Sequence, residues 1–285
     1  MNIDINTKMI TLIGTPLSQS FAARMQNKGY EAAGLNMAYF YTEADNEHLG
    51  DIVNGLRYMN FAGFAVTKPN KVKVLEYLDE LDPLCQKMGS SNTVVKTPEG
   101  KLVGYNTDGS GFYTSLTEEG GIKADQCVFF CFGGGGAGRA MCSVLAYHGA
   151  RKIYITDAYE ECAQSLVDDI NKNFAPVAEF VKAGDFSKLA ACDVVLNASG
   201  VGMGKSIGQS PLPKEHIKSG QFYFDACYNP AKTQFLLDAE EKGCKILNGL
   251  GMSLYQGAAQ IELWTGKKAP VAAMRQELMD IIAGK

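Results

Sequence analysis

Histidine and tryptophan are almost missing from this chain: its 285 residues hold three histidines and one tryptophan. His48, His148 and His216 lie far apart, and no HxxxH or HExxH pattern occurs, so no metal site is expected. An excess of either charge is also lacking. Lys and Arg number 27 against 31 Asp and Glu, for a net charge of −4. That balance argues against nucleic acid or an anionic membrane surface as a partner. No apolar run reaches transmembrane length, and Met1-Asn2-Ile3-Asp4-Ile5 has neither the basic nor the apolar region of a signal peptide. The eight cysteines form no CxxC pair. Several fall inside expected strands and helices, where a free thiol behaves as a small hydrophobe, so a reduced, cytoplasmic protein is expected. What the chain does have is 46% hydrophobic residues and 31 glycines, over a length sufficient for one large or two ordinary domains.

The most informative of those glycines follow Val128-Phe129-Phe130-Cys131-Phe132. Five apolar residues without polar alternation read as a strand buried on both faces. The strand runs into Gly133-x-Gly135-x-x-Gly138, and a helical stripe of Ala140, Met141, Val144, Leu145 and His148 follows, with Gly149 placed to end it. Strand, glycine turn and helix N-terminus together form a cradle for a pyrophosphate: Gly133, Gly135, Gly136, Ala137 and Gly138 let the backbone and helix dipole face the anion. A second buried strand, Ile153-Tyr154-Ile155-Thr156, ends at Asp157, nineteen positions after Gly138. A dinucleotide fold places there the acid that binds the adenosine ribose hydroxyls. The same position would also suit an N-cap for the segment from Glu160. Ala158 follows, and no Arg or Lys occurs before Lys172, so a 2′-phosphate would meet a carboxylate and no cation. The cofactor expected is NAD rather than NADP.

Taken in order, the chain alternates. Met9–Ile13, Met37–Tyr41 and Phe61–Val66 read as strands, with helices over Phe21–Ala33 and Leu49–Met59 between them. This β-α-β-α-β order implies a parallel sheet with right-handed crossovers. Ser20 reads as the N-cap of the first helix, with a hydroxyl that could instead hold a ligand anion. Pro69 is expected to stop the third strand and open the next helix. Asn92–Lys96 and Lys101–Asn106 form a hairpin across Thr97-Pro98-Glu99-Gly100, and a helix follows from about Ser110 to Glu119. Beyond the glycine turn come further strands, each leaving toward one crevice. The loop after the fourth begins Asn197-Ala198, and Tyr228 and Gly249 lie in later exits. Leu254–Thr265 and Ala272–Ile282 are helices with no strand after them, expected to return to the first domain.

With these residues assembled, the chain resembles the shikimate dehydrogenase family over nearly its full length. The resemblance rests on Gly14-Thr15-Pro16 with Ser20, Val66-Thr67-Lys68-Pro69-Asn70-Lys71, Ser91-Asn92-Thr93 and Asn106-Thr107-Asp108-Gly109. It rests further on the glycine cluster, Asn197-Ala198, Tyr228-Asn229-Pro230, and Gly249-Leu250-Gly251-Met252 with Tyr255-Gln256. It implies an α/β fold: an N-terminal α/β substrate domain (1–108 and 251–285), a Rossmann-like doubly wound cofactor domain (109–250), and a cleft between them. It implies reversible oxidation of a ring secondary alcohol by a nicotinamide, with a small-molecule substrate of the shikimate or quinate type. A homodimer is the assembly entertained.

The family's catalytic pair falls on Lys71 and Asp108. Hydride transfer needs a group that moves the hydroxyl proton and steadies the developing alkoxide, which a lysine held by an aspartate can do. Without the resemblance, Lys71 reads as a solvated lysine and Asp108 as a helix N-cap. Substrate contacts carry over to Ser20, Thr67, Asn92 and Gln256, with Tyr228 beside the cleft; otherwise Asn92 is an edge-strand or turn residue, Gln256 a helix-surface residue and Tyr228 a core aromatic. Cofactor contacts carry over to the glycine turn, Asp157, Asn197, Ala198 and Gly249. The chain departs from the family where Ser-x-Ser-Pro becomes Ser20-Phe21-Ala22-Ala23, where Asn becomes Ala65, where His becomes Gln19, and where Asn-Arg-Thr becomes Asp157-Ala158-Tyr159. Losing one charge-assisted hydrogen bond to a substrate carboxylate costs about 1.5–3 kcal/mol. The expected function is an NAD-dependent dehydrogenase of a shikimate- or quinate-type ring acid; the alternatives are a dehydrogenase of a related cyclitol lacking the carboxylate contacts and, from another class, a non-catalytic dinucleotide sensor.

Overall fold

A computed structural model describes residues 3–18 and 20–285; Gln19, one of the departures noted above, lies outside the described residues, as do Met1 and Asn2. The chain divides into two compact units, Met1–Thr107 with Leu254–Lys285, and Asp108–Ser253. The expected boundaries, 108/109 and 250/251, differ from these by one and three residues. Among the described residues, no helix is long and apolar enough to cross a membrane.

The first unit begins with β1 (Lys8–Gly14), α1 (Ala22–Ala32), β2 (Met37–Glu43), α2 (Leu49–Tyr58) and β3 (Gly63–Val66). β1 pairs in parallel with β2 and β3, as the alternating pattern requires. The third strand is shorter than the sequence suggests, because Phe61 makes only an isolated bridge with Met9. Then come β4 (Glu80–Leu81), α3 (Pro83–Met88), β5 (Thr93–Lys96) and β6 (Leu102–Tyr105). The expected hairpin is β5–β6, and it joins β3 antiparallel, so the sheet is mixed, in the order β2-β1-β3-β5-β6-β4. Ile13, Val53, Leu56, Phe64, Val66 and Val94 lie in one core beneath it. On β2, the backbone N–H of Tyr39 donates to Asn27 Oδ1 at 2.8 Å, and Asn27 Nδ2 donates to the Tyr39 carbonyl at 2.8 Å.

No α-helix opens at Pro69. Ser91 N–H donates to the Lys71 carbonyl at 2.8 Å, and Leu75 N–H bonds the Val72 carbonyl at 3.2 Å instead of that of Lys71, so the α ladder does not continue. The result is a tight 3₁₀ turn over Lys73–Tyr77. α3 is a further helix, beyond those expected from the sequence. Its signals are ordinary ones: Asp82 accepts from Leu84 N–H at 3.0 Å as N-cap, Pro83 opens the helix, and Gly89 closes it at φ 63°.

The second unit takes most of α4 (Thr107–Glu118), then β7 (Val128–Phe132), α5 (Gly136–Tyr147), β8 (Lys152–Thr156), α6 (Glu160–Asn173) and β9 (Ala178–Phe180). β10 (Val194–Asn197), β11 (Phe222–Asp225), α7 (Gln234–Glu241) and β12 (Lys245–Asn248) complete the sheet. All strands are parallel, in the order β12-β11-β10-β7-β8-β9. This is the doubly wound arrangement, whose order reverses between β7 and β10 and leaves a crevice at their carboxyl ends. Phe130, Val195, Tyr223 and Phe235 fill the core on one face. α8 (Leu250–Thr265) and α9 (Val271–Ile282) end the chain. α8 starts four residues before the expected Leu254, because Asn248 Oδ1 accepts from Leu250 N–H at 3.1 Å.

Candidate active site

In the first unit, the site residues collect at one end of the sheet. β1 and β3 run parallel, so Gly14 and Thr67 leave together: Thr67 N–H donates to the Ile13 carbonyl and Thr15 N–H to the Lys68 carbonyl, each at 2.9 Å. Lys71 follows, half-buried, its carbonyl bonded to Ser91. β5 is antiparallel to β3, so Asn92, just before β5, lies at this same end; Val66 N–H bonds its carbonyl at 2.9 Å. β6 returns to this end as well, because Tyr105 pairs with Thr93, and Thr107 begins α4 there.

Asn92 is 3% exposed, and its side chain is a cap rather than a turn or edge decoration. Its Oδ1 accepts from Thr107 N–H at 2.7 Å, satisfying a first-turn donor of α4 from fifteen residues away. This corrects two readings. α4 starts at Thr107 rather than Ser110, and Asp108 lies inside its first turn rather than at its N-cap.

Ser20 is not an N-cap either: α1 begins at Ala22 with Phe21 at its cap and no side-chain cap bond. The Ser20 hydroxyl accepts from Ala22 N–H at 3.3 Å. Tyr41, unremarked in the sequence, holds this loop: its hydroxyl donates to the Ser20 carbonyl at 2.8 Å and accepts from Ala23 N–H at 3.0 Å. Ala65 is buried in β3. Gln256 lies in α8, half-buried, one turn before Gln260.

In the second unit, the glycine turn sits at the β7/β10 reversal. Gly133 has φ 107°, in the left-handed region that glycine alone adopts without strain, and a Cβ there would lie 2.7 Å from the Ala198 backbone. A Cβ on Gly138 would lie 1.8 Å from the Gly133 carbonyl oxygen. By contrast, a Cβ on Gly135 or Gly136 would meet nothing within 4 Å, and α5 starts there without a side-chain cap. Uncovered backbone and uncapped first-turn N–H groups suit a dinucleotide pyrophosphate.

Asp157 ends β8. Its carboxylate accepts from Gly134 N–H at 2.7 Å and from Tyr159 N–H at 2.8 Å. The cap of α6 is Tyr159, so the N-cap reading of Asp157 does not hold. The acid is instead joined to the glycine turn.

Asn197 is fully buried and spends its amide on its own loop. Nδ2 donates to the Val201 carbonyl at 2.9 Å and to Asp225 Oδ1 at 3.0 Å, while Oδ1 accepts from the N–H and hydroxyl of Ser199. It shapes the loop that carries Ala198. Burial raises the Asp225 carboxyl above the usual carboxylate range, against the pull of Thr233, Cys227 N–H and Asn197. Burial likewise pushes the Tyr228 phenol up to about 12. Gly249 N–H donates to the Cys227 carbonyl at 3.1 Å, so the β11 and β12 exits are joined. Among the described residues, Asp45, Glu47 and His48 form an exposed group with metal-ligand spacing, of a kind common on surfaces without a metal.

Two family models match the chain: the shikimate dehydrogenase substrate binding domain over residues 12–94, and the shikimate 5′-dehydrogenase C-terminal domain over residues 249–279. A Moorella thermoacetica protein named shikimate dehydrogenase (NADP(+)) is 36% identical, covering 98% of this chain and 95% of its own. The Listeria monocytogenes shikimate 5-dehydrogenase, solved with shikimate and NAD, is 35% identical with a TM-score of 0.93, covering 98% of each chain. A ligand-free 5-ketofructose reductase of Gluconobacter sp. strain CHM43 is 32% identical with a TM-score of 0.91, covering 98% of this chain and 100% of its own.

Proposed function

This chain belongs to the shikimate dehydrogenase family, and on that premise we propose that it is an oxidoreductase. It moves a hydride between a nicotinamide dinucleotide and a ring secondary alcohol of the shikimate or quinate type, with NAD preferred over NADP. One observation carries the cofactor choice. Asp157 presents a carboxylate at the end of β8, tied to the glycine turn, and no cation follows it before Lys172. Two ribose hydroxyls can donate to that carboxylate, whereas a 2′-phosphate would be repelled by it. The Moorella relative is named for NADP(+) and the Listeria structure holds NAD, so the preference has to be argued from this chain's own residues.

The glycine turn and the first turn of α5 would hold the pyrophosphate, and Asp157 the adenosine ribose. The bound nicotinamide supplies the hydride acceptor in oxidation and the donor in reduction. Lys71 takes the hydroxyl proton as the carbinol becomes a ketone and returns it in reverse, with Asp108 as its carboxylate partner. Ser20, Thr67, Asn92 and Gln256 orient the ring, and Tyr228 borders it. Cofactor contacts extend to Asn197, Ala198 and Gly249.

Ala22 and Ala65 favour a second reading, a neutral cyclitol or other polyol in place of a ring acid. Neither side chain can hydrogen-bond, and a reductase named for a keto sugar is among the similar structures. Turnover of shikimate, quinate, neutral cyclitols and keto sugars, each with NAD and with NADP, tests both readings. Turnover of shikimate or quinate with NAD supports the first; activity confined to neutral polyols supports the second. No turnover of any of them leaves a dinucleotide sensor and removes both.

A further inference from the structure

Five buried polar side chains in the first unit form one hydrogen-bonded run, and none is more than 4% exposed: Gln26, Gln260, Thr93, Asn92 and Thr107. Gln26 Nε2, on α1, donates to the Gly257 carbonyl at 3.1 Å and to Gln260 Oε1 at 2.8 Å. Gln260 Nε2, on α8, donates to Thr93 Oγ1 at 2.9 Å. Thr93 Oγ1 donates to Asn92 Oδ1 at 2.9 Å and lies 3.0 Å from Thr107 Oγ1. Asn92 Nδ2 donates to Thr107 Oγ1 at 3.0 Å, and Asn92 Oδ1 accepts from Thr107 N–H at 2.7 Å.

The run has a direction. An amide nitrogen only donates and an amide oxygen only accepts. Gln260 Nε2 supplies a hydrogen to Thr93 Oγ1, so the Thr93 hydroxyl hydrogen points onward, to Asn92 Oδ1 at 2.9 Å or Thr107 Oγ1 at 3.0 Å. Asn92 Oδ1 faces Thr93 and the start of α4. A flipped Asn92 would set its Nδ2 hydrogens against the Thr107 N–H, donor against donor. An apolar side chain at 260 would leave the Gln26 amide and the Thr93 hydroxyl without these partners in a buried setting, so the Gln260 amide is what joins the two ends of the run.

We propose that Gln260, with Thr93 as its relay, is a positioning residue: together with the Thr107 N–H it fixes the amide orientation of Asn92 and steadies the first turn of α4, where Asp108 stands. Its effect on turnover rests on the roles given to Asn92 and Asp108 above; its effect on geometry does not.

Three variants test it: Gln260→Leu, Thr93→Val, which suits a strand and removes the hydroxyl, and Thr93→Ser, which keeps it. The readouts are kcat and KM for the ring alcohol, KM for the dinucleotide, the melting temperature, and hydrogen exchange at Thr107 N–H. Gln260→Leu and Thr93→Val should lower kcat/KM for the ring alcohol by about 10- to 100-fold, the scale of a misplacement near 1 Å. The dinucleotide KM should stay unchanged, Thr107 exchange should accelerate, and Thr93→Ser should behave as wild type. A lower melting temperature with kcat/KM unchanged in an active enzyme would overturn the proposal. So would Thr107 exchange that stays slow in both Gln260→Leu and Thr93→Val. Exchange needs no substrate, so a wild type that turns over none of the ring alcohols removes the proposed activity and still leaves this measurement to decide.

Discussion

At the scale of single residues, Asp157 braces the glycine turn through Gly134, and on the proposed function the same carboxylate accepts from the adenosine ribose. The wild type should prefer NAD over NADP by at least about tenfold in kcat/KM, or 1.4 kcal/mol. The pair Asp157→Ser and Ala158→Arg should move that ratio toward NADP, and comparable wild-type values for the two cofactors would sink the assignment. Lys71→Ala should lower kcat by at least about 100-fold with dinucleotide affinity unchanged, since a general acid–base group acts on the chemical step. Near-normal turnover in that variant would take Lys71 out of the mechanism. Ser20 accepts from Ala22 N–H and keeps its hydrogen to donate to a substrate carboxylate, but Ala22 adds no second hydroxyl, so KM for shikimate should be about 1 mM or above. Ala22→Ser should lower that KM and leave kcat nearly unchanged, because a contact remote from the reacting carbon is mostly uniform binding. No change in KM would mean that no substrate carboxylate reaches this loop.

At the scale of elements, the β7–turn–α5 unit was legible because its physics is local. A buried parallel strand must be a continuous apolar run, and the turn after it admits only glycine where backbone meets backbone. Gly138→Ala should therefore destabilise the protein by at least about 2 kcal/mol, since neither its Cβ nor the Gly133 carbonyl can swing aside. Gly135→Ala, at φ −71° with open space around it, should leave the melting temperature nearly unchanged and act only on dinucleotide affinity. Calorimetry and a dinucleotide titration separate the two. The hairpin β5–β6 was legible for a similar reason, its turn residues being contiguous. What could not be read were elements set by distant partners. α4 is capped by Asn92, the Lys71 carbonyl is held by Ser91, and Ser20 is held by Tyr41. Gln26 and Gln260 look like ordinary polar helix residues until α1 and α8 bury them against each other. α3 was different: its Asp-Pro start and Gly stop were in plain view.

At the scale of the whole molecule, the second unit is one uninterrupted stretch with its own sheet and core, whereas the first is built from both ends of the chain. A fragment covering 108–253 should fold alone, and NAD at 100 times its Kd should add about 2.7 kcal/mol to its stability. Truncation after residue 253 should abolish the unfolding transition of the first unit. It removes Ile261 and Met274 from beside Gly29, and Trp264, whose Nε1 donates to the Val94 carbonyl at 3.0 Å. Two transitions in the full chain, one of them lost on truncation, would meet this expectation; a fragment that stays unfolded would contradict it. The Asn27 amide has its own consequence at this scale. β2 is the last strand of its sheet, and a bare outer strand is a template on which another chain can polymerise. At Tyr39 both outward-facing backbone groups are already taken by Asn27, which stands in for one residue of a neighbouring strand. Two copies cannot pair backbone to backbone at Tyr39 while that amide stays in place, so a strand laid along β2 would have to break its ladder there.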